Sequence, residues 1–325
     1  MATTISQAFD EFKSALEITE SERESVIKRH EYIRDVLRGK LVLDPRKSDF
    51  LTGSYKNNTK IHPINDVDIM VVLDSVENRD LFNQGSNAIL RRIGEVLGNT
   101  FPKNEPIPQS HSIGLKFNST PDVDIVPARM VDFDQLIFEI PDAKTGTYLR
   151  TSPDRNNEII SRRNEDLLKK FIPVIKMLKQ WKKNNLGNSK IPIKLKSFHL
   201  ETLCLKILTF PFTSFRDGIK AFFDGVQHII YEPCDDPAGI GPQVDTYLDE
   251  NARAMLLTKF REVSLEIPNL LKLESQGQHQ DAIAGWHKIF GDPFPKPVKM
   301  DDSTTPRKGG TTRFPPEGKN YTFGV

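Results

Sequence analysis

The sequence predicts an α+β fold in two lobes, followed by a flexible tail. Short apolar, partly β-branched segments mix with helical patterns through residues 1–157, and helical periodicity dominates 158–295. In the tail, 296–325, Pro297, Pro306, Pro315 and Pro316 break any regular element and Gly309-Gly310 adds flexibility. A chain of 325 residues can bury a substantial core divided between two such lobes.

The elements follow in order. Residues 6–39 carry Phe9, Phe12, Leu16, Val26, Ile33, Val36 and Leu37 among charges, a spacing that suits one or two amphipathic helices. Strands are expected near 49–53, 66–73, 112–117, 122–128 and 135–140, with a helix near 79–98. Pro141-Asp-Ala-Lys-Thr-Gly-Thr147 and Ser152-Pro-Asp-Arg-Asn156 are rich in turn formers and mark the boundary between lobes. Helices then run to about 291, punctuated by Gly187-Asn-Ser and Pro211-Phe-Thr-Ser. The tail holds six Lys/Arg against three Asp/Glu, too polar to add to a core.

The chemistry is concentrated in Leu51-Thr-Gly-Ser-Tyr55 and Asn65-Asp-Val-Asp-Ile69. Residues two apart on a strand share a face, so Asp66 and Asp68 aim two carboxylates at one point. Like charges held that close repel unless a cation lies between them, and hard oxygen ligands favour Mg²⁺. Pro121-Asp-Val-Asp-Ile-Val-Pro127 offers a third strand-borne acid, Asp124. Three carboxylates suit a pair of metals about 3.5–4 Å apart, one activating an attacking hydroxyl and one steadying the leaving oxygen. Gly53 permits close backbone approach to a phosphate, and Ser54 adds a hydroxyl donor. The pattern proposes metal-dependent phosphoryl or nucleotidyl transfer.

These residues resemble the active-site signature of polymerase-β-like nucleotidyltransferases. Asn65-Asp-Val-Asp-Ile-Met-Val-Val and Val123-Asp-Ile-Val-Pro-Ala128 resemble one branch, the cGAS/DncV-like nucleotidyltransferases, relatives of the oligoadenylate synthases. Val174-Ile-Lys-Met-Leu-Lys-Gln-Trp181, Lys196-Ser-Phe-His-Leu-Glu-Thr-Leu203 and Trp286-His-Lys-Ile-Phe-Gly-Asp-Pro-Phe-Pro295 are similar to that branch's helical-lobe motifs. The resemblance covers roughly residues 1–295. It implies a polymerase-β-like core with an N-terminal spine helix and a helical second lobe. It also implies template-free synthesis of a cyclic oligonucleotide from ATP, with or without another NTP, using two Mg²⁺ ions or Mn²⁺. For the biology it implies anti-phage signalling in bacteria. Asp66, Asp68 and Asp124 would be the catalytic metal ligands.

Lys176 and Lys179 share a helical face and, by the resemblance, join Gly53 and Ser54 on the donor phosphates; a solvated basic face is the alternative. Ser197 would reach the nucleotide. Phe198 would stack on a base, although a core phenylalanine is the commoner fate. His199 and Glu201 read as a polar pair steadying the lobe interface, His111 lacks metal-ligand partners, and Arg129 reads as a salt-bridge former. Trp181 and Trp286 read as core anchors.

Lys+Arg 45 against Asp+Glu 44 argues against a general nucleic-acid coat. That weighs mildly against an RNA- or tRNA-end transferase, and the intact acids weigh against a non-enzymatic nucleotide-binding module. Cys204 and Cys234 show no metal-site spacing and read as free thiols in a cytoplasmic protein. No apolar run reaches membrane-span length, and without a His/Cys cluster no DNA activator is expected. Tyr321 and Phe323 at the end of the tail would serve a regulatory or conjugating partner, or else pack on the helical lobe.

Overall fold

The computed structural model describes residues 2–187 and 194–298. The predicted tail from 299 onward, with Tyr321 and Phe323, lies outside them. Helices α1 (Ile5–Ala15) and α2 (Glu20–Arg38) each open with a capping box, Thr4 with Gln7 and Thr19 with Glu22. The caps divide the predicted N-terminal segment into two helices. Strand β1 (Asp49–Thr52) runs into a single helical turn, α3 (Gly53–Lys56), and then β2 (Asp66–Val72). The helix expected near 79–98 is two, α4 (Arg79–Asn83) and α5 (Ser86–Thr100), because Gly85 takes φ +92° between them.

β3 (Pro106–Pro108), β4 (Ile113–Leu115), β5 (Asp122–Asp132), β6 (Ile137–Asp142) and β7 (Thr147–Thr151) complete a seven-stranded sheet. Its order is β1-β2-β5-β4-β3, with β6 pairing the far end of β5 and β7 pairing β6. The β2–β5 pairing is parallel and the others are antiparallel. β3 and β7 were not anticipated, since both are short and largely solvent-facing.

β2 alternates as its composition requires. Val67, Ile69 and Val71 pack in one cluster with α2 and α5, through Val26, Ile33, Leu90 and Ile93. Met70 and Val72 enter another with Ala128, Met130 and Phe138. Asp66 and Asp68 therefore begin a face that becomes apolar two residues later.

The second lobe comprises α6 (Pro153–Asp166), α7 (Phe171–Asn185), α8 (Ser197–Ile207), α9 (Phe215–Ile229), α10 (Glu250–Ser275) and α11 (His279–Phe290). The turn-like Ser152-Pro153 is the start of α6, where proline fits the first helical position. Trp181 and Trp286 are fully buried. Trp181 stacks on Phe260, and Trp286 stacks on Phe290. α1 belongs to this core and not to the sheet: Phe9 meets Trp286 edge-on at 5.1 Å, and Phe12 lies 4.9 Å from Phe290. The two N-terminal helices thus serve different lobes. Both cysteines are free and buried, and among the described residues no helix is long and apolar enough to cross a membrane.

Candidate active site

Parallel pairing of β2 with β5 sets Asp68 directly opposite Asp124, with Asp66 one step along the same face. Oxygens of all three carboxylates lie within 4.8 Å of one another. Burial, then the neighbouring charges of Asp66 and Asp124, push the Asp68 carboxyl up from 3.8 to about 7. Burial and Asp66 raise Asp124 as well. Lys60 Nζ, 2.9 Å from Asp66 Oδ1, is the one cation in ion-pair contact with the triad among the described residues. An all-oxygen donor set with surplus negative charge fits a hard divalent cation.

The turn after β1 packs against this cluster. Gly53 adopts φ +64°, and a Cβ there would fall 2.1 Å from Asp68 Oδ2. Glycine is thus required twice, for the left-handed backbone and for the space beside the carboxylate. Asp124 is held from its other side. Gln109 Nε2 donates to Asp124 Oδ1 at 2.8 Å, and Gly114, opposite Asp124 on β4, leaves room for that contact.

A cleft of about 460 Å³ opens over Asp66 and Asp68, lined also by Gly53, Ser54 and Lys60 from the sheet lobe and by Ser197, Phe198 and Glu201 from the helical lobe. The structure therefore brings Gly53, Ser54, Ser197 and Phe198 to the acids. Phe198 is 38 % exposed there, not a core residue.

Lys176 and Lys179 are placed otherwise. Both are buried, because α7 is covered on all sides from Phe171 to Trp181. Lys176 Nζ donates to Glu17 at 2.7 Å. Lys179 pairs with Glu201 and donates to the carbonyl and hydroxyl of Thr59 at 2.9 and 3.0 Å. Neither of the two lysines expected on the donor phosphates is among the residues lining the cleft: Lys176 Nζ lies 3.5 Å from Asn58 Oδ1 and Lys179 binds Thr59, so both hold the 58–59 loop.

The cation that reaches the cleft wall from α7 is Lys182, which donates to Ser197 Oγ at 2.7 Å. Burial, with Lys179 nearby, brings its pKa down to about 8. Sequence reasoning missed Lys182 and Lys60. The signals were present, in the same three-residue spacing continued from Lys179 and in a lysine between the Gly-Ser turn and the acids.

His199 and Glu201 are not a pair, since residues two apart on a helix diverge. Glu201 accepts from Thr59 at 2.8 Å across the lobes, while His199 lies 3.1 Å from the Tyr247 hydroxyl. Arg129 forms its salt bridge, to Glu139 at 2.6 Å. His111 lies 2.8 Å from the Pro141 carbonyl.

Residues 3–164 match the family described as the Second Messenger Oligonucleotide or Dinucleotide Synthetase domain. A probable cyclic nucleotide synthase of Bacillus cereus is 26% identical over an alignment of 339 positions, spanning 91% of this chain and 99% of that protein. A cyclic AMP-AMP-AMP synthase of Acinetobacter is 25% identical over 270, spanning 76% of this chain and 72% of that one. The fold is shared with Escherichia coli CdnC, solved with ATP, at a TM-score of 0.70 and 18% identity, covering 90% of this chain and 100% of that chain.

Proposed function

The chain belongs to the cGAS/DncV-like nucleotidyltransferases, and on that premise we propose that it joins ATP, with or without a second NTP, into a cyclic oligonucleotide. The observation that carries the reading is the convergence of Asp66, Asp68 and Asp124 beneath the Gly53-Ser54 turn. A ribose hydroxyl of the acceptor attacks the donor's α-phosphorus. The new P–O bond forms as the bond to the β-phosphate breaks, pyrophosphate leaves and the hydroxyl proton is lost. A second such step closes the ring.

Two Mg²⁺ ions, or Mn²⁺, would supply Lewis-acid stabilisation of the attacking and leaving oxygens. Asp66 and Asp68 would hold both, and Asp124, oriented by Gln109, would complete the set on the hydroxyl side. Ser54, Ser197, Lys60 and Lys182 face the donor phosphates in this reading, in the place first expected of Lys176 and Lys179. Phe198 would stack on a base without selecting it, worth about 1–3 kcal/mol. Lys179 contributes by fixing Thr59, whose neighbour Lys60 carries charge to Asp66.

Labelled NTPs, Mg²⁺ and purified protein should give a phosphatase-resistant product whose mass identifies the ring. Only phosphatase-sensitive products, or none, would sink the proposal. The reading extends to a cytoplasmic protein in anti-phage signalling. Cells carrying the intact chain should restrict plaque formation in its native gene context, and cells carrying Asp66→Asn with Asp68→Asn should not.

A further inference from the structure

Residues 58–64 connect the helical turn of Gly53 and Ser54 to the strand of Asp66 and Asp68, and Lys60 lies among them. They belong to no helix or strand, and Asn58 takes φ +55°, in the left-handed region. A segment without a ladder of its own is fixed by the groups its neighbours offer.

Much of that hold comes from the joint between α1 and α2. The Leu16 carbonyl accepts from the His62 backbone N–H at 3.1 Å. Glu17 Oε2 accepts from Lys176 Nζ at 2.7 Å, and the same Nζ lies 3.5 Å from Asn58 Oδ1. Glu22 does more than its capping box requires. Its Oε2 accepts from the Thr19 backbone N–H at 2.9 Å, as a cap does, and also lies 2.8 Å from His62 Nδ1. Its Oε1 accepts from the Ile64 backbone N–H at 2.8 Å, two residues before Asp66. Against its burial, the bonds from His62, Thr19 and Ile64 bring the Glu22 carboxyl down to about 2. Gln7 fills the same capping position on α1 with an amide, so the cap alone does not call for a carboxylate. The surplus acceptor is turned to the loop.

The loop is thus held at both ends, near Asn58 from Glu17 through Lys176, and at His62 and Ile64 from Leu16 and Glu22. Lys179 holds Thr59 between them. From this frame Lys60 Nζ reaches Asp66 Oδ1 at 2.9 Å. We propose that the α1–α2 joint is a positioning element of the active site, Glu17 through Lys176 and Glu22 directly, holding the 58–64 loop so that Lys60 meets Asp66 and the donor phosphates. The role rests on the transfer reading above. None of the three lines the cleft, so they act on the reaction only through the loop.

Glu22→Gln and Lys176→Met test this without dismantling the fold. Glutamine still serves a capping box but cannot accept at both of its terminal atoms. Methionine replaces the buried lysine stem, and the Glu17 side chain it leaves behind is 42 % exposed to water. Both should melt within about 4 °C of wild type. Hydrogen exchange on metal-free Glu22→Gln should show the His62 and Ile64 amides about tenfold faster, with those of α7 at the wild-type rate. Each variant should raise the KM for ATP about fivefold and keep kcat within about twofold. In a Lys60→Met background, which lacks the group being positioned, each should add less than about twofold. Unchanged exchange at His62 and Ile64, equal acceleration throughout α7, an unchanged KM, or a fivefold rise that persists in the Lys60→Met background overturns the positioning role and leaves the transfer reading standing. A wild type that joins no nucleotide overturns both.

Discussion

Replacing Asp68 by asparagine should stabilise the metal-free protein at neutral pH while abolishing synthesis. In the folded protein Asp68 keeps its proton to about pH 7, whereas its ordinary value is 3.8. The folded state therefore binds the proton more tightly. This contribution to stability is complete below pH 3.8, shrinks as pH rises, and is gone above about 7. At 1.36 kcal/mol per pH unit the loss is on the order of 4 kcal/mol, an upper figure because the neighbouring Asp124 is raised as well and titrates with it. Asparagine does not titrate and incurs no such loss. Thermal melts in EDTA between pH 4 and 8 should show the wild type falling relative to Asp68→Asn by about 5 °C or more. Mg²⁺ should then raise the wild type and leave the variant unmoved. Loss of several kcal/mol of transition-state stabilisation should slow synthesis by about a thousandfold. Parallel melting curves across pH, or equal Mg²⁺ shifts in both proteins, would refute the argument.

Three further outcomes are expected. Gly53→Ala should eliminate most activity and Mg²⁺-induced stabilisation, because the added methyl meets Asp68 Oδ2; normal Mg²⁺ titration by calorimetry would contradict this. Lys182→Ala should raise the KM for ATP more than it lowers kcat, whereas Lys179→Ala, which strands the buried Glu201, should cost about 3–5 kcal/mol of stability. Denaturant melts showing Lys182→Ala as the more damaging would reverse the assignment. Ending the chain after Val298 should leave synthesis and melting temperature nearly unchanged, and a large drop in either would place the missing segment in the working structure.

The acids were legible because a period of two within a β-branched run fixes which residues share a face. Asp66 and Asp68 declare themselves in that way. Their alignment with Asp124 did not, since it depends on a parallel pairing across a long connection, and register is set by packing. The lysines of α7 show the opposite limit. A three-residue spacing says which side chains neighbour one another, but not what the helix is packed against. With α7 covered on every side, Lys176 and Lys179 form internal ion pairs, and the next turn brings Lys182 to Ser197 at the cleft. Gly85 split a helix for the same kind of reason: a turn residue inside an amphipathic pattern is silent until its φ is known.

The placement of α1 in the far lobe has a consequence for synthesis on the ribosome. Every strand that carries an acid of the triad is complete once residue 132 has emerged. The aromatic partners of α1 on α11 come much later. The Gln280 side chain contacts the Ala2 carbonyl, 278 residues earlier in the chain. At about 5–20 residues per second that interval is roughly a quarter of a minute to a minute. Throughout it Phe9 and Phe12 lack their aromatic partners Trp286, Phe290 and Phe294 and are open to chaperones and proteases. A prematurely terminated chain keeps this exposed stripe for good, so incomplete copies should be removed before they accumulate, although their acids are already assembled.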